Sequence, residues 1–252
     1  MAAMKATHDR EESVSTVPNA ESSESESSHL QQEPTPTING GGARRWLMVG
    51  FWVCTMIALA AAARRFIALI RPPGSGSLMS GLDATFASRS TLTFAHIIPA
   101  TAFVVLAPLV LFPASQKRWL ERTLFLLGTI VGITAYALSV DAFGGWIERT
   151  AVLFFNSLFL FSLGRAILYG EAGAVIPMRR WLTRATGILL GIATTRPVMG
   201  VFFATSRLTH LQPNQFFGIA FWIGFSVNTI IVEMWLRAGR RVTNQYGIKS
   251  YL

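Results

Sequence analysis

Six apolar blocks, each about twenty residues long, constrain this chain more than any other feature. An α-helix rises about 1.5 Å per residue, so one such block spans the roughly 30 Å hydrocarbon core of a bilayer. The blocks run about Trp46 to Ala63 (with an extension past Arg64 and Arg65 to Ile70), Leu92 to Phe112, Thr123 to Phe143, Ala151 to Tyr169, Leu182 to Thr205, and Gln215 to Leu236. Their hydrophobicity is continuous and does not alternate every second residue. That excludes barrel strands and predicts an all-α, polytopic bundle of six helices. Only 14% of the 252 residues are charged, against about 25% in soluble domains. The expected domain is a transmembrane unit over residues 44–242, followed by a short cytoplasmic C-terminal tail over 243–252.

The segment ahead of the first block is different. Residues 1–43 are rich in Ser, Glu, Thr, Pro and Gly, with ESSESESS at 21–28 and PTPTINGGG at 34–42. Such a stretch cannot bury enough apolar surface to offset the entropy of ordering, so it is expected to be a disordered acidic tail. It has no apolar core near its start and does not read as a signal peptide. Its histidines, His8 and His29, are too far apart to suggest a metal site.

The formal charge of +9 conceals two opposed parts. The tail carries two basic residues, Lys5 and Arg10, against seven acidic ones, whereas the remainder carries 20 basic and six acidic residues. Those basic residues flank apolar blocks, where anionic headgroups are their partners. No basic stripe lies on a water-soluble element, so nucleic acid binding is not expected. With the N-terminus inside, 12 Lys and Arg fall in the inner segments and six in the outer ones. This bias predicts a protein of the inner or plasma membrane with both termini in the cytoplasm. Four of the six outer residues, Arg64, Arg65, Arg71 and Arg89, surround the first outer loop, RPPGSGSLMSG. The conflict shrinks if Arg64 and Arg65 lie in a longer, tilted first helix that faces the bundle.

Intramembrane polar residues are costly and therefore the best functional leads. His96 is expected roughly 6 Å below the outer end of helix 2, and Arg196 roughly 13 Å below that of helix 5. Asn156 lies at a comparable depth, Asp141 near the outer end of helix 3, and His210 in the loop before helix 6. His96, Asp141, Asn156, Arg196 and His210 are thus predicted to converge in the outer half as a ligand-binding set. Arg196 requires a carboxylate or water, and an ion pair with Asp141 is one way to supply it. Pro197 is expected to kink helix 5, with Thr194 and Thr195 satisfying the carbonyls it frees. A sparser inner-face set comprises Arg165, Arg180, Arg184 and Glu233, with Asn228 nearby. Glu233 and Arg237 are spaced i,i+4 there. Asp141 and Glu148 are both expected at the outer surface, with no two carboxylates poised together. The GxxxG spacings Gly128/Gly132 and Gly187/Gly191 predict close helix packing within the bundle, with a homo-oligomer interface as the alternative.

The segments HIIPATAFVVLAPLVLF, RRWLTRA, GIATTRPVMG and FFGIAFWIGFSVN resemble a family of bacterial membrane proteins known as domain of unknown function family 2306. The resemblance covers about Thr91 to Trp235. The family opens its second helix with a histidine, matched by His96, and has an arginine in its fifth helix, matched by Arg196. Its His-Arg-Trp-Leu-Gly-Arg segment corresponds to KRWLER, with Lys117 in place of the histidine and Glu121 in place of the glycine. Its His-Arg-x-Trp-Met-x-Arg segment corresponds to Met178 through Arg184, again without the histidine. Both departures remove groups that a histidine-dependent chemistry at the inner face would use. The resemblance implies topology rather than an activity.

The sequence leaves several function classes open. A small-ligand or lipid-binding membrane protein without catalysis uses the outer polar set. A b-type haem protein needs two axial ligands, and beside His96 only His210 or a methionine offers the second. A transporter calls for an acidic residue at mid-membrane, which no block carries. Enzyme motifs of the P-loop, GxSxG and HExxH kinds are absent, and so is a Cys/His zinc cluster, Cys54 being the one cysteine. A lipid hydrolase or transferase would use His96 as base and Arg196 for phosphate.

Overall fold

A computed structural model describes residues 40–70, 89–112, 117–209 and 213–245. Residues 1–39 of the acidic tail, the RPPGSGSLMSG loop, His210 and residues 246–252 lie outside the described residues, while the last four tail positions, 40–43, belong to the first helix. All that follows concerns the unit Gly41–Leu252.

Seven α-helices build the described part: α1 (Gly40–Ile70), α2 (Ser90–Leu111), α3 (Arg118–Ser139), α4 (Gly145–Glu171), α5 (Val175–Leu189), α6 (Gly191–Thr209) and α7 (Pro213–Gln245). α5 and α6 form one span, broken only at Leu190, so six spans cross-match the six apolar blocks. Each span is at least 22 residues long with mean hydropathy between 1.4 and 2.2. Their outward faces are apolar, with Leu126 62%, Val201 64% and Met234 65% exposed. A water-facing surface does not present so many contiguous large apolar side chains. The chain is a multi-pass membrane protein.

The helices exceed the apolar blocks at several ends. α3 begins at Arg118 rather than Thr123, and α4 at Gly145 rather than Ala151. α7 continues to Gln245. Basic and polar residues at these ends remain good helix formers, and headgroups solvate them, so the hydrophobic boundary is not the helical one. α1 runs to Ile70, the longer of the two extents the sequence allowed.

The core lies between α2, α3, α4 and α5, with Phe103, Leu124, Phe159, Leu163 and Leu182 at its centre. α4 packs on α3, α5 and α7, while α6 pairs with α7. α1 is the least embedded span, and reaches the others through Ala58 and its neighbours against Val104, Leu190 and Ala193. Both GxxxG pairs are spent inside the bundle. Gly128 faces Leu163 and Phe103, Gly132 faces Leu160, Gly187 faces Val232 and Gly191 faces Phe225.

The break in the fifth span does not sit where proline would put it. Pro197 lies inside α6, whereas the interruption is at Leu190, whose amide bonds back within α5. Gly191 there lets Phe225 of α7 approach the backbone closely. Thr195 returns its hydroxyl to the Gly191 carbonyl at 2.9 Å, as expected of a helical threonine, but Thr194 instead bonds Asn228 across to α7 at 2.8 Å. Asn228 also donates to the Gly187 carbonyl at 3.3 Å, so it ties α7 to both halves of the broken span.

Candidate ligand-binding cavity

One cavity of about 270 Å³ opens among α1, α2, α3, α4, the broken fifth span and α7. His96, Asp141, Asn156 and Arg196 all line it. Four residues from four separate elements, predicted to converge from helix depth alone, therefore do share one space. The fifth, His210, lies outside the described residues.

His96 of α2 contacts Thr134 of α3, with Nδ1 2.9 Å from the hydroxyl oxygen. The Thr134 hydroxyl also lies 2.7 Å from the Ile130 carbonyl and 3.1 Å from that of Val131, so this one side chain ties the His96 ring to the backbone of α3. His96 thus has the hydrogen-bonding role expected of it and lines the cavity as well.

Asn156 is buried on α4 and donates to the Gly132 carbonyl of α3 at 2.8 Å. That bond fixes the side-chain amide beside the point where Leu160 covers Gly132. The residue lines the cavity.

Arg196 stands in α6 with a fully buried Nε that has no hydrogen-bond partner. The ion pair with Asp141 that the sequence allowed does not form. Asp141 is held by Arg89 at 2.6 Å, in a half-exposed pair at the rim of the cavity. Arg89 precedes α2 and Asp141 follows α3, so the pair joins two adjacent chain turns and leaves Arg196 deeper.

Three cavity residues were missed by the sequence reading. Arg65 is 7% exposed and lines the cavity, whereas Arg64 beside it points outward. This is the inward-facing first helix considered for the basic outer loop, although Arg65 itself was not ranked among site residues. Arg89 was counted only as a loop charge. Glu148, expected at the outer surface, is instead buried. It is 8% exposed, accepts the Gly144 amide at 2.6 Å and shares the cavity with Asp141. The signal was its place in the first turn of a helix, where a carboxylate folds back to cap free backbone amides instead of reaching for water.

The inner-face set divides. Arg184 and Glu233 form a two-point ion pair between α5 and α7, and Arg237 adds a third contact at 3.1 Å. The expected i,i+4 pair exists, but the shorter bond is the interhelical one. Arg165 bonds the Tyr169 hydroxyl at 2.7 Å and lies over the Trp181 ring, which Arg184 also covers. Arg180 is half-buried on α5. These contacts are structural ties and do not enclose a cavity with the first set.

Among the described residues, no group of three or more His, Cys, Asp or Glu side chains is arranged to hold a metal ion. Compared with family models, curated proteins and solved structures, the chain matches none.

Proposed function

We propose that this chain is a small-ligand-binding membrane protein whose site is the cavity lined by His96, Asp141, Asn156 and Arg196. The observation that carries the reading is the convergence of those polar groups on one space among mostly apolar walls. Ligand sites are typically apolar concavities with a few placed polar groups. Membrane proteins, moreover, rarely keep charged side chains at depth without use for them. The Lys and Arg bias supports an orientation with both termini in the cytoplasm and the cavity in the outer half. Kinship with domain of unknown function family 2306 belongs to the same proposal, supported by the matched positions His96 and Arg196.

The test is an inventory, by native mass spectrometry and absorbance, of small molecules that copurify with the full chain in mild detergent. A bound species present in the unaltered protein and lost from Ala100→Phe, which projects a ring into the cavity, supports the reading. Equal retention by both proteins rejects this site. A Soret band would replace the reading by haem binding.

A further inference from the structure

The charge left on Arg196 narrows what the cavity can hold. We infer that its ligand is a monoanionic, amphipathic carboxylate, paired with Arg196 and admitted from the lipid between α1 and α2. The inference rests on the reading of the cavity as a ligand site.

A guanidinium inside a bilayer is stable only beside an anion, water or backbone acceptors. Among the described residues Arg196 makes no hydrogen bond or ion pair, and its buried Nε is unpartnered. The acids of the same cavity are engaged elsewhere: Asp141 with Arg89, and Glu148 with the Gly144 amide. Arg196 thus offers one unmatched guanidinium, which a single negative charge balances, whereas a dianion would be repelled by Asp141 and Glu148 of the same lining. The planar guanidinium fork matches a carboxylate in two-point geometry.

The remaining wall selects an apolar body. Phe155, Phe159, Phe217, Phe221 and Phe225 surround the space. Its 270 Å³ equals about nine water volumes, room for a chain or ring of on the order of ten heavy atoms. Access fits such a molecule. A second, almost wholly apolar groove runs between α1 and α2 and shares Leu59, Ala62, Ile97 and Thr101 with the cavity wall. Ile98, which lines only this groove, is 56% exposed on the lipid-facing surface.

The full chain in phosphatidylcholine nanodiscs is titrated at neutral pH with decanoate, decanol and decylamine. Decanoate is expected to bind at least tenfold tighter than the other two, and Arg196→Gln to abolish that preference, with Arg196→Lys retaining part of it. Equal binding of decanoate and decanol overturns the inference while leaving the cavity reading intact. Should none bind and nothing small copurify, the cavity reading fails first. If Arg196→Gln does not fold, the three-ligand series on the unaltered chain decides. For the portal, Ala102→Trp in the groove is expected to slow decanoate association at least tenfold without changing the equilibrium constant. An unchanged rate overturns lateral entry.

Discussion

Arg184 grips Glu233 with two nitrogens, Nε 2.8 Å from Oε2 and Nη2 3.3 Å from Oε1, and so clamps α5 to α7. The clamp sits roughly 18 Å along the fifth span from Arg196, by helical rise. Its side chains are 16% and 32% exposed, while that of Arg237, the other partner of Glu233, is 71% exposed. Exposed i,i+4 pairs contribute only a few tenths of a kcal/mol, because solvent screens them. Arg184→Ala is therefore expected to lower stability by about 1–2 kcal/mol, including its stacking on Trp181, and Arg237→Ala by less than about 0.5 kcal/mol. Thermal unfolding followed by tryptophan fluorescence in detergent ranks the two, and equal losses would remove the clamp's special weight.

Two glycines of α7 set how closely it approaches its neighbours. A methyl on Gly218 would lie 2.6 Å from the Glu148 backbone nitrogen, and one on Gly224 2.7 Å from the Thr195 backbone nitrogen. Backbone cannot give way as a flexible side chain does. Gly218→Ala and Gly224→Ala are each expected to cost on the order of 2 kcal/mol as the helices separate. Gly164 on α4 meets nothing within 4 Å, so Gly164→Ala should be neutral or stabilising by up to about 1 kcal/mol. Melting temperatures of the three variants check this, and a stabilised Gly224→Ala would contradict the packing described.

Thr134 stands behind His96, 2.9 Å from its Nδ1, and does not itself line the cavity. Thr134→Val keeps shape and removes the hydroxyl that fixes the ring. Loss of one such hydrogen bond is worth about 1 kcal/mol, or roughly fivefold in affinity for whatever the cavity retains. Ligand titration of Thr134→Val against His96→Gln measures it. A variant indistinguishable from the parent would make the orientation of the His96 ring irrelevant to binding.

Topology can be read with thiol labelling in a Cys54→Ala background. Trp146 at the start of α4 is 72% exposed, and Glu171 at its end is exposed as well. Trp146→Cys is expected to react with an impermeant maleimide on intact cells, and Glu171→Cys only after permeabilisation. The reverse pattern would invert the orientation and place the cavity toward the cytoplasm.

The removal of a rim charge gives a further check on the electrostatics. The Arg89–Asp141 pair is about half exposed on both sides. Asp141→Asn should change stability by less than about 1 kcal/mol. It also removes a negative charge from the cavity rim, and decanoate affinity should rise. Weaker binding in this variant would show that Asp141 itself contacts the ligand.

Amino-acid order alone determined the six spans, because continuous apolar runs of bilayer length have no other stable home than a helix in lipid. It also placed His96, Asp141, Asn156 and Arg196 at similar depth, since helical rise converts position in the chain into distance along the span. Depth says nothing about rotation around each helix axis. Only tertiary packing decided that Arg65 turns inward while Arg64 faces out, that Glu148 folds back on Gly144, and that Asp141 serves Arg89 and leaves Arg196 alone. Those choices depend on which helices meet and at what angle, and such meetings are fixed by contacts between residues far apart in sequence. The break at Leu190 has the same origin: Gly191 yields to Phe225 of α7, a neighbour that no local pattern around Pro197 discloses.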